Sequence, residues 1–167
     1  MKTTTRSNSY LPMAAMILTA ALAIPAAAQQ RVPFKGTMQG HDADSPCSPP
    51  QPVCVVVTTR GTGIGTQLGD FSFTQVATVN RAAGTSSGPA HFVAANGDII
   101  YTTFSGSGEL TATPNIINIT EVHTIIGGTG RFAGAQGSFI VERLASAVKF
   151  LTSGSFHGSI TSPGAAH

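Results

Sequence analysis

An all-β fold, eight antiparallel strands closed into one barrel, is the architecture this sequence predicts, and three observations predict it. Apolar residues alternate with Ser and Thr or fall in short β-branched runs broken by Gly and Asn, with almost no helical spacing. The connections between these runs are short, which suits consecutive hairpins, and closing such a series into a barrel removes its two vulnerable edges. The two ends also echo each other, Phe34-Lys35-Gly36 near the start and Phe156-His157-Gly158 near the end. First and last strands of a closed barrel must pair, and glycines ease their tight curvature.

The chain opens with a segment that stands outside this barrel. Lys2 and Arg6 precede the apolar run Leu11–Ile24, interrupted only by Pro12 and Thr19, and Ala26-Ala27-Ala28 then supplies the small residues of a signal-peptidase site. The run is shorter than the roughly 20 residues a membrane-spanning helix needs. Residues 1–28 are thus expected to be a cleaved signal peptide, and 29–167 a single exported domain, periplasmic or extracellular. No later segment is long and apolar enough to span a bilayer.

The strands expected in the domain are Val32–Gln39, Val53–Arg60, Thr66–Asn80, Gly88–Ala94, Ile99–Gly108, Asn115–Ile126, Ser138–Leu144 and Phe150–Thr161. Asn96-Gly97-Asp98 is a strong hairpin turn, and Ala83-Gly84-Thr85 and Thr113-Pro114 also read as turns. One short helical turn, forming a plug or bend over Phe132, fits Thr129–Ala135; Gly134 and Gly137 leave it little room to grow.

Cys47 and Cys54, the only cysteines, flank Ser-Pro-Pro-Gln-Pro-Val. In an oxidising compartment this pair is expected as a disulfide closing a small surface loop. No His or Cys stands at the spacing of a metal partner, and His41, Asp42 and Asp44 are placed in a solvated Pro-rich loop; no metal is expected. Two of the nine basic residues, Lys2 and Arg6, lie in the leader, so the domain is formally neutral with seven acidic residues. It carries no basic stripe for nucleic acid or anionic lipid. Gly61-Thr62-Gly63-Ile64-Gly65 lacks the following helix and the spacing of a dinucleotide site.

The most informative stretch is Gly127–Phe139, reading Gly-Gly-Thr-Gly-Arg-Phe-Ala-Gly-Ala-Gln-Gly-Ser-Phe between two strand-like runs. It resembles the turn of plant dirigent proteins at Gly127, Gly128, Thr129, Gly130, Phe132, Ala135, Gly137 and Phe139. The looser version in allene oxide cyclases also takes in Gly134 and Ala135. The domain is also similar to short exported bacterial proteins of this barrel superfamily. The turn glycines serve backbone geometry. The resemblance implies a calycin-like barrel, commonly a homotrimer, with an apolar central cavity and no metal or organic cofactor. It further implies a small apolar or phenolic ligand. Allene oxide cyclases steer ring closure of a fatty-acid epoxide; dirigent proteins hold phenolic intermediates for stereoselective coupling or cyclisation.

Strand alternation selects the candidate chemical residues. On Asn115–Ile126, the face bearing Ile117, Ile119, Glu121, His123 and Ile125 is the more apolar and is expected to face inward. A carboxyl in an apolar cavity tends to stay protonated and can act as an acid, and an adjacent imidazole can accept or relay a proton, so Glu121 and His123 are the catalytic candidates. The alternative is a buried Glu121 satisfied by hydroxyls or by an inward Arg143, an ion pair rather than an active site. Phe71, Phe73, Tyr101, Ile119 and Arg143 are the expected pocket-lining residues. Two functions follow: a cofactor-free binding barrel for a small hydrophobic or phenolic molecule, which as an enzyme would be isomerase- or cyclase-like, or a non-enzymatic envelope or extracellular barrel that is packed solid and binds a partner through its surface.

Overall fold

A computed structural model describes residues 30–49 and 51–161; the expected signal peptide lies outside the described residues. The chain forms a closed barrel in which eight strands, β1 to β8, pair in sequence order and β8 pairs back with β1, all antiparallel. The strands are Arg31–Pro46 (β1), Cys54–Gly65 (β2), Gly69–Asn80 (β3), Thr85–Val93 (β4), Ile99–Leu110 (β5), Ile116–Gly128 (β6), Gly137–Ser146 (β7) and Leu151–Thr161 (β8). The echo between the chain ends has a direct meaning: in the β1–β8 register Phe34 faces Gly158 and Gly36 faces Phe156, and the two rings pack at 5.0 Å. Each phenylalanine lies over the strand position where the other segment has no side chain.

Two strands run further than their sequences suggest. β1 continues through His41, Asp42 and Asp44 to Pro46 because β2 offers it partners as far as Val55, so these residues are strand and not loop. β2 absorbs Gly61–Gly65, and β3 correspondingly starts at Gly69 and not at Thr66. Poor intrinsic strand formers are carried here by pairing on both sides, since strand propensity is set mainly by neighbours.

The barrel has two unlike ends. At one end lie the β2–β3 and β4–β5 hairpins and the β6–β7 connection, and the interior is filled by aromatic packing. The rings of Phe34, Phe71, Phe73, Phe92, Phe139 and Phe156 contact one another at centroid distances of 5.0 to 6.3 Å. Each buries roughly 150–250 Å². A 3-10 turn at Gly130–Phe132 closes this end with Phe132 fully buried, as the sequence predicts. Asp98 of the β4–β5 hairpin locks that turn: its Oδ2 accepts hydrogen bonds from the Arg131 backbone N–H (3.1 Å) and from Asn96 Nδ2 (2.7 Å). Gly130 has φ +52° and lies against the Asp98 carboxylate, so only glycine fits there. The same two hydrogen bonds, with Arg131 nearby, hold the Asp98 carboxyl below its usual range.

At the opposite end are the β1–β2, β3–β4, β5–β6 and β7–β8 connections. The Cys47–Cys54 disulfide joins the flanks of the first, with Cα atoms 5.8 Å apart. Arg81 on the β3–β4 turn pairs with Asp44 of β1 at 2.9 Å and ties the same connection down.

Candidate functional site

Inward positions on each strand alternate with solvent positions, and toward the disulfide end the apolar ones include Val55, Val57, Val79, Ile117 and Ile119. Val55 is buried, whereas the other four are only half-buried, unlike the aromatic layer at the other end. One layer deeper the interior turns polar. Glu121 is fully buried and its two oxygens accept three hydrogen bonds: from Arg143 Nε (3.1 Å), from an Arg143 terminal nitrogen (3.1 Å) and from Gln75 Nε2 (2.7 Å). The other terminal nitrogen of Arg143 donates to Thr152 Oγ1 at 3.0 Å, and that hydroxyl donates on to the Leu144 carbonyl. Gln75 stands on β3 and Glu121 on β6, so the network spans the barrel as a brace.

The pair is seated by missing side chains. Across the register Glu121 faces Gly106 and Arg143 faces Gly154. A Cβ on Gly106 would stand 2.6 Å from Glu121 Cγ, and one on Gly154 would stand 2.6 Å from Arg143 Cβ. The adjacent Asp42 and Thr59 extend the polar layer: Thr59 Oγ1 donates to Asp42 Oδ1 at 2.6 Å. Asp42 is half-buried and shares the inward face of β1 with Met38 and Gly40.

His123 lies one step further toward the aromatic end. Register places it directly between Phe104 of β5 and Phe139 of β7. Its ring stacks between theirs, at 5.0 Å and 21° to one and 4.7 Å and 15° to the other. Burial, partly countered by Glu121 and aided by Arg143, pushes its pKa down to about 4, so the imidazole is neutral at physiological pH. Nδ1 lies 3.1 Å from Thr102 Oγ1, which is itself 3.4 Å from the Ala90 carbonyl oxygen. A hydroxyl has one hydrogen; given to Ala90, it requires Nδ1 to carry its own, which leaves Nε2 a bare acceptor. Nε2 is buried and has no hydrogen-bond partner among the described residues.

The structure therefore brings Glu121, His123 and Arg143 together inside the barrel, with Ile119 above them. The carboxyl that the sequence places in an apolar cavity lies instead in the fork of a guanidinium, so the ion-pair alternative describes its surroundings. Phe71 and Phe73 face inward as the alternation predicts, but packing consumes them. Tyr101 does not belong to the interior: it is 42% exposed on the outer face of β5, because Ile100, Thr102 and Phe104 take the inward positions. A register shift between Tyr101 and Thr102 against β6 leaves Gly127 opposite Tyr101. Sequence reasoning missed Asp42, Thr59 and Thr152 as members of the polar layer, and missed Gln75 only as the partner of Glu121. Gln75 was legible from its apolar neighbours on alternating positions, whereas Asp42 was hidden by its Pro-rich surroundings. An open groove of about 900 Å³ is lined mainly by outward residues such as Thr37, Thr62 and Ser72 and holds none of the polar layer. Among the described residues no cluster of side chains has metal-ligand geometry.

No family model matches the chain, and no curated protein matches it. Among solved structures it is similar to the pterocarpan synthase dirigent protein GePTS1, with a TM-score of 0.57 at 10% identity, over 86% of this chain and 98% of that one. At this identity the likeness is one of fold: the closed eight-stranded antiparallel barrel is a dirigent-like barrel.

Proposed function

We propose that this protein is an exported, cofactor-free barrel that binds a small hydrophobic or phenolic molecule at its disulfide end. One observation carries the reading: half-buried apolar residues of β2, β3 and β6, namely Val57, Val79, Ile117 and Ile119, overlie a polar layer to which β1, β2, β3, β6, β7 and β8 all contribute. Apolar walls over a few placed polar groups are the usual chemistry of a small-molecule site. The fold neighbour, a pterocarpan synthase dirigent protein, supports a phenolic ligand. In this reading Glu121 and Arg143 orient the ligand's polar group, and His123 waits beneath them as a neutral base. A reactive ligand held in one pose would be steered in its cyclisation or coupling, isomerase-like chemistry in which positioning supplies the effect.

A second reading has an observation of its own. The aromatic end is packed solid, and if ligand is excluded at the other end as well, the barrel is a rigid partner-binding body. Native mass spectrometry of the protein purified from its exporting host, followed by denaturing extraction, separates the two. A stoichiometric apolar or phenolic compound is the expected result; a protein that is empty as isolated and takes up no added phenol favours the partner-binding body.

A further inference from the structure

We propose that the disulfide end of the barrel docks on a phospholipid bilayer, with Val53, Leu110, Val148 and Phe150 entering the interface. The proposal does not depend on whether the interior takes a ligand.

The β1–β2, β3–β4, β5–β6 and β7–β8 connections form a linked ring round this end. The Arg81 N–H donates to the Val53 carbonyl at 2.8 Å, and the Gly108 N–H to the Gly84 carbonyl at 2.8 Å. The Ala147 N–H donates to the Asn115 carbonyl at 2.9 Å, and the Asp42 N–H to the Phe150 carbonyl at 2.8 Å. Each connection is thus tied to the next element, and the turns are held together as one surface.

Apolar side chains stand out on this ring. Leu110, the last residue of β5, is 82% exposed, and Val148 on the β7–β8 turn is 64% exposed. Val53 and Phe150 are exposed on the β1–β2 and β7–β8 connections. Ile64 and Ile126, which are comparably exposed toward the other end, lie on strands and not on turns. Phe150 has φ +54°, a left-handed conformation that glycine or asparagine ordinarily takes. Folding alone favours glycine there, so a phenyl group at that position points to a contact outside the barrel.

Charge fits a membrane surface. Residues 47–53, 81–84, 111–115 and 147–150 contain no Asp or Glu, and their two charges are Arg81 and Lys149. Arg81 is paired with Asp44, whereas Lys149 makes no ion pair among the described residues. Asp42 is half-buried on the inward face of β1, and Glu109 is exposed on the wall of β5, one residue before Leu110. Apolar tips that flank a lysine are the chemistry of an interfacial contact. The tips enter the acyl boundary, and the lysine stem lies along it with its ammonium among the phosphates. A protein partner asks instead for a contiguous apolar core inside a polar rim. Here the apolar residues are spread round the mouth on separate turns.

The sequence has no tryptophan, so one introduced indole reports its own surroundings. Phe150→Trp and Thr124→Trp, the second on the exposed outer wall of β6, are mixed with vesicles of phosphatidylcholine and phosphatidylglycerol in equal parts. The indole at 150 is expected to shift to the blue and to be quenched by brominated lipid, and the one at 124 to do neither. Phe150→Gly suits the positive φ and removes the ring. It is expected to keep the melting temperature and to weaken vesicle binding of the exported protein about fivefold or more. No vesicle binding by the wild type, equal quenching at 150 and 124, or a glycine variant that binds as the wild type does overturns the proposal. A shift of the indole at 150 with protein concentration and not with vesicles assigns the ring to contact between copies, and overturns it too. The two tryptophan reporters decide the matter even if the glycine variant does not fold.

Discussion

Arg143 holds both oxygens of Glu121 from the neighbouring strand, through Nε and one terminal nitrogen at 3.1 Å each, with both residues at most 6% exposed. A fork of this kind fixes geometry as well as charge. Removing one partner leaves a buried ion without compensation, so Glu121→Ala and Arg143→Ala are each expected to lower stability by about 3–5 kcal/mol. The double replacement Glu121→Leu with Arg143→Met is expected to cost less than either, since it leaves no orphaned charge. Denaturant unfolding of the three variants measures this; a double variant as unstable as the summed singles contradicts the pairing.

His123 makes stability depend on pH in a window set by its environment. Its folded pKa is near 4 and its ordinary value 6.5. Between these values the unfolded chain binds a proton that the folded one refuses, so stability is full above the ordinary value and falls as pH drops toward 4. The linkage is worth about 3 kcal/mol. His123→Phe keeps the stack between Phe104 and Phe139 and is expected to flatten the stability profile over that window. An unchanged slope in the variant assigns the effect elsewhere.

Asp98 acts at lower pH and at the other end. Its folded pKa is held down by Asn96 and by the Arg131 backbone, so its contribution is present above the usual carboxylate range and is lost as pH falls through the lowered value. Asp98→Ala is expected to speed amide exchange at Arg131, while the interior strands keep their protection. Uniform acceleration throughout the barrel would show that the hairpin does not lock the turn locally.

Gly106 leaves no room for a side chain beside Glu121, where a Cβ would approach Cγ to 2.6 Å. Gly106→Ala is expected to destabilise by about 1–3 kcal/mol, the usual cost of overpacking a filled site. A melting temperature equal to wild type would mean that the carboxylate shifts freely.

Much of this was legible in the chain. Residues Ile117 to Ile125 alternate so regularly that one face had to be inward, and Glu121 and His123 went with it. The paired Phe-x-Gly segments announced closure because each ring needs a bare partner position. The polar layer was harder to read, because Gln75, Thr59 and Asp42 reach it only through a register that spans the barrel. Asp42 and Asp44 were hidden for a second reason: weak strand formers beside prolines resemble a loop until β2 pairs with them. Tyr101 failed because alternation alone does not say that an aromatic residue stands outside when Thr102 stands inside.

A methyl-labelled NMR titration of the exported protein with naphthol tests directly whether a ligand enters at the disulfide end. Saturable shifts are expected at Val57, Val79, Ile117 and Ile119, with little change at Ile100 and Ile160 in the closed end. Shifts confined to the outer grooves, or no saturable shift at those four residues, would contradict a ligand site at the disulfide end.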